Sequence, residues 1–476
     1  MLRILLRSII ASAAMLLILN TYAFSEETPI PKDVQSSEGI SKVVSTITAP
    51  TDSDDALPNW VPKILSAQIN AVYQDIPSFK SPYEGDKSFS FDKGYSQDTT
   101  RIFGVYFGSD LSSLLIPNLQ TYADIEMAKG SGVSQGVGLG GYINGDVIRT
   151  GSVDLGNDPY IAKVFMRYFI PLSNETSKAE RGIDQLPGNE PIERIEIRGG
   201  KYSTADVFDQ NRYANNTRIQ FMNYSFITNP AYDYAGDTRG YSWGIALSFI
   251  KSTWQLTYAA MMVCTTANGN IFDTELNRAR GDNLELTLKP NDYGTVVKLL
   301  TFLNQGRMGN YAESISLSSI PNVKLDEKPG RTKYGFGINL EQPITDDGET
   351  GLFARIGWND GNNEDFSYTE VDRNLSVGGQ ISGIHWGRKL DHVGIALGLN
   401  GISAIHQKYL AHGGYGFLIG DGNLNYGLEQ IIEIYYRVQL WKYMQISPDF
   451  QFIMNPGYNQ SRGPVEIYGI RARLYF

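Results

Sequence analysis

Cysteine is almost missing from this 476-residue chain, where Cys264 stands alone. One thiol excludes an intramolecular disulfide and any zinc or iron–sulfur centre built on several thiolates. Histidine is nearly as scarce, with His385, His392, His406 and His412 making up the four. They fall in turns and loops without metal-ligand spacing, so they read as surface or packing residues, and neither a metal nor a cofactor is expected. Charge is low, at 19% of residues, and the balance is acidic, with 41 Lys and Arg against 51 Asp and Glu. No basic face stands out, so no nucleic-acid partner is expected. Beyond the first residues the sequence also lacks any apolar run long enough to be a membrane helix. Tyrosine and glycine are abundant instead, at 29 and 49 residues. With so little charge, that composition argues against disorder and against a long-helix protein.

The N-terminus has the layout of a secretory signal peptide over residues 1–25. Arg3 and Arg7 precede the apolar run Ile9 to Leu19, and Ala23-Phe24-Ser25 offers a cleavage site before Glu26-Glu27. The run is short for a membrane span, although an uncleaved anchor helix is the alternative. Residues 26–58 are polar and aperiodic, a flexible periplasmic segment. The main domain is therefore expected over 59–476.

From there on the chain alternates with period two. Tyr468, Ile470, Ala472, Leu474 and Phe476 share one face of a strand, with Gly469, Arg471, Arg473 and Tyr475 on the other. Ile432, Ile434, Tyr436, Val438 and Leu440 alternate with Glu433, Tyr435, Arg437 and Gln439. Leu284, Leu286 and Leu288 alternate with Glu285, Thr287 and Lys289. A soluble sheet would bury the apolar face in a core. A membrane barrel would turn it to lipid and the charges to a wet lumen. Many runs reach nine residues or more, as a tilted bilayer crossing requires, whereas a secreted sandwich or propeller would use strands of about five or six.

The pattern places strands near 66–74, 100–108, 119–127, 161–170, 193–198, 241–250, 254–262, 283–289, 294–303, 333–341, 351–358, 375–385, 391–400, 430–440, 445–454 and 465–476. Sixteen is an even number, and short turns mostly alternate with long loops, as in outer-membrane barrels. Residues 171–192 break that rule, forming a longish turn where a short one is due. The expected fold is all-β: a transmembrane antiparallel β-barrel with short periplasmic turns and long extracellular loops. Sixteen strands enclose a lumen too wide for side chains to fill.

Several separated stretches resemble a known family. They are Ser81-Pro82-Tyr83-Glu84-Gly85 near the start and the central runs Gly200 to Ser203, Asp206 to Asp209, Asn211 to Ala214, Gln220 to Asn223 and Asp237 to Tyr241. Gly357 to Gly361, Gly383 to Arg388, Gly420-Asp421-Gly422 and Pro456 to Pro464 follow in order. Together they resemble the carbohydrate-selective porin family of bacterial outer membranes, the OprB family, over about 60–476. The resemblance implies a sixteen-stranded barrel in the outer membrane that passes sugars such as glucose, or small oligosaccharides, by diffusion. Its partners would be small carbohydrates and outer-membrane lipids, and a monomer and a homotrimer both stay open. A general or anion-preferring porin is the alternative. No enzyme activity is expected.

Neutral sugars suit a hydrogen-bonding constriction of mixed charge better than a ring of one sign. Strand parity turns Asp124 and Glu126 inward on one strand, Lys163 and Arg167 on the next, and Arg194, Glu196 and Arg198 on a third. These are candidates for pore lining, with charge pairs that only neutralise each other as the plainer reading. The loop 199–240 is long enough to be functional. If it folds inward, Asp209, Asn211, Arg212, Arg218 and Asn223 would narrow the channel, and Tyr213 would offer a ring face to a sugar; a cap on the outer rim is the other option. Gly136 to Gly140 reads as a flexible outer loop, since no helix follows to cradle a phosphate. Ser403, His406, His412 and Asp421 share a loop, but no nucleophile elbow accompanies them.

Overall fold

A computed structural model describes residues 62–91, 96–112, 116–146, 156 and 158–476. The expected signal peptide and the segment 26–58 lie outside them. Pro62 to Tyr475 forms one compact unit. Its strands are β1 (Ile64–Asp75), β2 (Gln97–Asp110), β3 (Leu119–Lys129), β4 (Tyr160–Pro171), β5 (Thr176–Ala179), β6 (Gly188–Pro191), β7 (Arg194–Tyr202), β8 (Ser242–Ile250) and β9 (Trp254–Met262). They continue with β10 (Arg280–Leu288), β11 (Val296–Met308), β12 (Lys328–Thr345), β13 (Thr350–Asn359), β14 (Arg373–Ser382), β15 (His392–Gly401), β16 (Glu429–Trp441), β17 (Met444–Met454) and β18 (Val465–Tyr475).

Strands β5 and β6 pair only with each other, and the other sixteen close into one barrel. Hydrocarbon offers no partner for a backbone N–H or C=O, so a membrane sheet must have no free edge. The first and last strands remove it by pairing antiparallel from Gln68 opposite Tyr475 to Asp75 opposite Tyr468. Side chains follow the expected parity. On β15 and β16, Ile395, Leu397 and Ile434 are exposed on the outer face, while Glu433 and Tyr435 are buried on the inner one. Large aromatics stand outward near both ends of the wall, Tyr73, Trp243 and Tyr334 at one and Tyr293, Trp386 and Trp441 at the other. That placement suits the two lipid–water interfaces. Among the described residues no helix is long and apolar enough to cross a membrane; the crossing is made by strands.

The departures from expectation have local causes. Strand β12 spans 18 residues, twice the length its alternation suggests, because Lys328 to Thr332 continues the ladder with β11 at one end and Gln342 to Thr345 continues that with β13 at the other. Strand β14 stops at Ser382, whose hydroxyl accepts the Ile384 N–H and starts a tight turn over Gly383–Trp386. The long turn 172–193 is occupied by the β5–β6 hairpin. The Gly136–Gly140 stretch, expected as a flexible outer loop, is tightly packed: Gly138 has φ +94°, and a Cβ there would lie 1.9 Å from the Phe89 nitrogen. Only glycine fits so close an approach.

Cys264 lies just after β9 and is buried. Burial, with Asp237 adding to it, pushes its thiol well above the ordinary range, so the folded protein should resist a maleimide that labels it fully after denaturation. Leu397 sits midway along β15 on the lipid face. Leu397→Arg should cost about 2–4 kcal/mol, read as a shifted midpoint in denaturant titration of the protein refolded into vesicles.

Candidate functional site in the barrel lumen

The inward faces of β3, β4 and β7 carry the charges that parity selected. Asp124 and Glu126 are buried on β3, and Arg167 on β4. The β3–β4 register shifts between Asp124 and Ile125, a bulge that leaves Lys163 beside Asp124. Arg167 holds Glu196 through two parallel bonds, Nε to Oε1 at 3.0 Å and Nη2 to Oε2 at 3.1 Å. Such a fork matches the carboxylate plane and fixes both side chains. Arg194 joins Glu196 at 3.2 Å, and Arg198 approaches it at 3.7 Å. Arg198 also lies over the Phe165 ring at 5.0 Å.

Lys163 collects three carboxylates. Asp206, from the start of the long loop, lies at 2.9 Å and Asp124 at 3.9 Å. The third, Asp184, comes from the turn of the β5–β6 hairpin and accepts a bond from the Lys163 ammonium. Burial opposes the Asp184 charge, but Lys163 beside it still holds the carboxyl below its usual range. The same hairpin places its Leu186 N–H on the Tyr122 hydroxyl at 3.3 Å and Glu190 against Arg167 at 3.5 Å. The turn between β4 and β7 therefore enters the barrel from the end opposite the long loop.

The long loop, 203–241, folds inward. Its first part is fixed to the far wall by Arg355 on β13. The Arg355 Nη2 donates to the Asp209 carbonyl at 3.0 Å and the Ala214 carbonyl at 2.8 Å, and its Nε pairs with the Asp209 carboxylate at 3.0 Å. Asn211 donates to Asn339 Oδ1 on β12 at 2.7 Å. Farther along, the Asn223 N–H and side chain bond Glu433 on β16 at 3.0 Å and Gln451 on β17 at 2.9 Å. Arg471 of β18 donates to the Gln220 carbonyl at 2.7 Å. Arg218 then reaches the opposite wall, with Glu126 at 2.8 Å, the Tyr106 hydroxyl at 2.9 Å and Asp146 at 3.2 Å. A cap on the outer rim could make none of these bonds. The loop lies so close to the wall that a Cβ on Gly357 would sit 1.9 Å from Asn229 Oδ1.

The candidates from this loop divide by place. Asp209 and Asn211 are buried against the wall and act as anchors. Arg212 remains open and meets Glu349, in the turn before β13, at 3.4 Å. Tyr213 corrects the expectation of a ring offered to sugar: it is wholly buried, and its hydroxyl donates to the Gly348 carbonyl at 2.9 Å. The ring faces that do cluster are others. Glu126 accepts the hydroxyls of Tyr241 at 3.0 Å and Tyr160 at 3.4 Å, and Arg239 lies 3.8 Å over the Tyr160 ring. Tyr224 and Tyr142 pack on Tyr368 with centroids at 4.7 and 5.2 Å. The sequence named none of these tyrosines as site residues. Their only signal was the abundance of tyrosine and the quoted run Asp237 to Tyr241.

A closed sixteen-strand wall, apolar outside and ionic inside, obstructed by its own loop, defines an outer-membrane porin: a channel, in which no bond need be broken. The family described as carbohydrate-selective porin, OprB family, matches residues 103–476. The chain belongs to that family, and with it to the bacterial outer membrane and to carbohydrate passage; a porin without sugar preference is not favoured. Comparison with curated protein sequences finds no match. Among solved structures the fold is similar to the high-pH structure of Pseudomonas putida OprB, at 14% identity and TM-score 0.65, covering 87% of this chain and 94% of that one. The outer membrane channel DcaP of Acinetobacter baumannii is similar at 11% identity and TM-score 0.48, over 87% of this chain and 96% of that one.

Arg355→Ala would strip the buried Asp209 of its cation. It should cost about 3–5 kcal/mol and free the first part of the loop. Single-channel conductance should rise, as it should on deleting part of 207–224. Unchanged conductance in the deletion would mean that the loop does not limit flow.

Proposed function

We propose that sugars diffuse down their gradient along a hydrated path between the inward loop and the β3–β4–β7 wall. The carrying observation is the mixed-sign cluster around Lys163. Its side chain is 13% exposed, that of Asp184 25% and that of Asp206 28%, so these groups keep water contact while staying paired. Arg198 and Arg218 are similarly open, at 15% and 17%. Charges of both signs present no single-sign ring to a neutral solute and leave donors and acceptors for hydroxyl groups. The Tyr160 and Tyr241 rings beside Glu126 add apolar surface for the C–H faces of a sugar ring.

Within this reading Asp124, Glu126, Lys163, Arg167, Arg194, Glu196 and Arg198 line or brace the path. Asp209 and Asn211 set its width, and Arg212 stands at the inner end. Every group comes from one chain, so the proposal holds for a monomer and a homotrimer alike. Residues 1–25 as a removed export signal and 26–58 as a periplasmic segment complete it.

A charge-assisted hydrogen bond is worth roughly 1.5 kcal/mol, or about tenfold in partition. In liposome swelling, glucose-sized sugars should therefore outpace amino acids of equal volume. Asp206→Asn, which keeps the side-chain shape, should shrink that ratio several-fold and move the reversal potential in a salt gradient toward anions. Equal swelling rates for sugars and amino acids in the unaltered protein would sink the selective path.

A further inference from the structure

Apart from the Lys163 cluster, the outer loops bury an unusual set of groups. Asp365, Glu370 and Asp372 come from the loop between β13 and β14. His406 lies on the helix Ala404–Ala411, and Tyr311 starts the helix Tyr311–Leu317. Asp365, Glu370 and His406 each place one potential ligand atom within 4.8 Å of the other two, and all three are buried. The imidazole is completely enclosed, stacked on the Tyr311 ring with centroids 4.2 Å apart. Its Nδ1 meets Asp372 Oδ2 at 3.2 Å. Its Nε2 has no hydrogen-bond partner, and neither has Asp365 Oδ2.

Ordinary packing does not account for this set. Lys333 of β12 pairs with Asp365 and lies 3.6 Å from Asp233 and 3.9 Å from Asp372. Glu370 accepts the Leu418 and Ile419 N–H groups, each at 2.7 Å. Four buried carboxyl groups, Asp233, Asp365, Glu370 and Asp372, thus face one lysine and one imidazole, so acids outnumber bases two to one. Buried charge of one sign is costly without a partner. One imidazole nitrogen is held by the Asp372 carboxylate while the other has no protein partner, which is how metal-binding histidines are held by a neighbouring carboxylate. Ser403, which the sequence grouped with this histidine, instead caps the helix and donates to the Gly361 carbonyl at 2.6 Å, so no nucleophile is poised here.

We propose that Asp365, Glu370 and His406 bind one divalent first-row transition ion of the zinc type, with Asp372 as a positioning residue. One imidazole and two carboxylates suit such an ion. It would balance the local charge and staple the loops 360–372 and 402–428 together.

The test uses the full chain in detergent, stripped with a chelator and dialysed. Equilibrium dialysis with zinc chloride should load one ion per chain, and cobalt should give visible ligand-field bands. His406→Gln should abolish loading, and Asp372→Asn should weaken it by about 10–100-fold. Failure of the folded, unaltered protein to take up stoichiometric zinc overturns the proposal, whether or not the variants fold. Equal loading of a folded His406→Gln variant, the mark of adventitious surface binding, overturns it too. Neither result bears on sugar passage, which swelling assays report separately.

Discussion

A peptide group inside hydrocarbon has no partner except another peptide group, and the whole molecule is arranged around that constraint. It forces the pairing of β1 with β18 and leaves no open edge. It also separates the two faces of every strand, since side chains alternate and only one face can tolerate lipid. Buried charged residues are thereby gathered on the inside, where water and one another are the available company. The functional chemistry of the barrel follows from this sorting.

A wall of sixteen strands encloses more space than its side chains can fill, and the chain fills part of it with its own backbone. A loop placed there brings polar groups that need partners, and the inward strand faces supply them. Arg355, Asn339, Glu433, Gln451 and Arg471 sit on five different strands, and each bonds the segment Asp209 to Asn223. The short β5–β6 hairpin does the same at the other end, through Asp184 and Glu190. The passage is thus narrowed from both ends and remains widest in charge variety on the side of β3, β4 and β7.

Strands were legible because lipid imposes a strict alternation that no soluble core demands so uniformly. Ile432 to Leu440 and Tyr468 to Leu474 read correctly for that reason. The alternation fades where a strand leaves the bilayer, as at Lys328 to Thr332, and there the boundary was missed. The inward charges Asp124, Glu126, Lys163, Arg167 and Glu196 were legible from parity alone, whereas Asp184 and Asp206 as partners of Lys163 were not, because a turn's path has no period. His406 looked like a stray loop residue, since its neighbours Asp365 and Glu370 lie 41 and 36 residues away in sequence and meet it only when two loops converge. The quoted family motifs prove to be joints between segments. Asn459 Nδ2 bonds Asp421 at 3.0 Å and also reaches Tyr83, while Arg462 approaches Glu84 at 3.7 Å, so three distant motifs share one knot.

The inward loop also has a mechanical consequence. Arg218 grips β3 on one side while Arg355 grips β13 on the other, which makes the loop a strut across the cylinder. Lateral pressure from a crowded membrane tends to flatten a hollow tube into an ellipse. A cross-brace joined to opposed staves resists that, so the bore keeps its calibre while the surrounding bilayer shifts in tension.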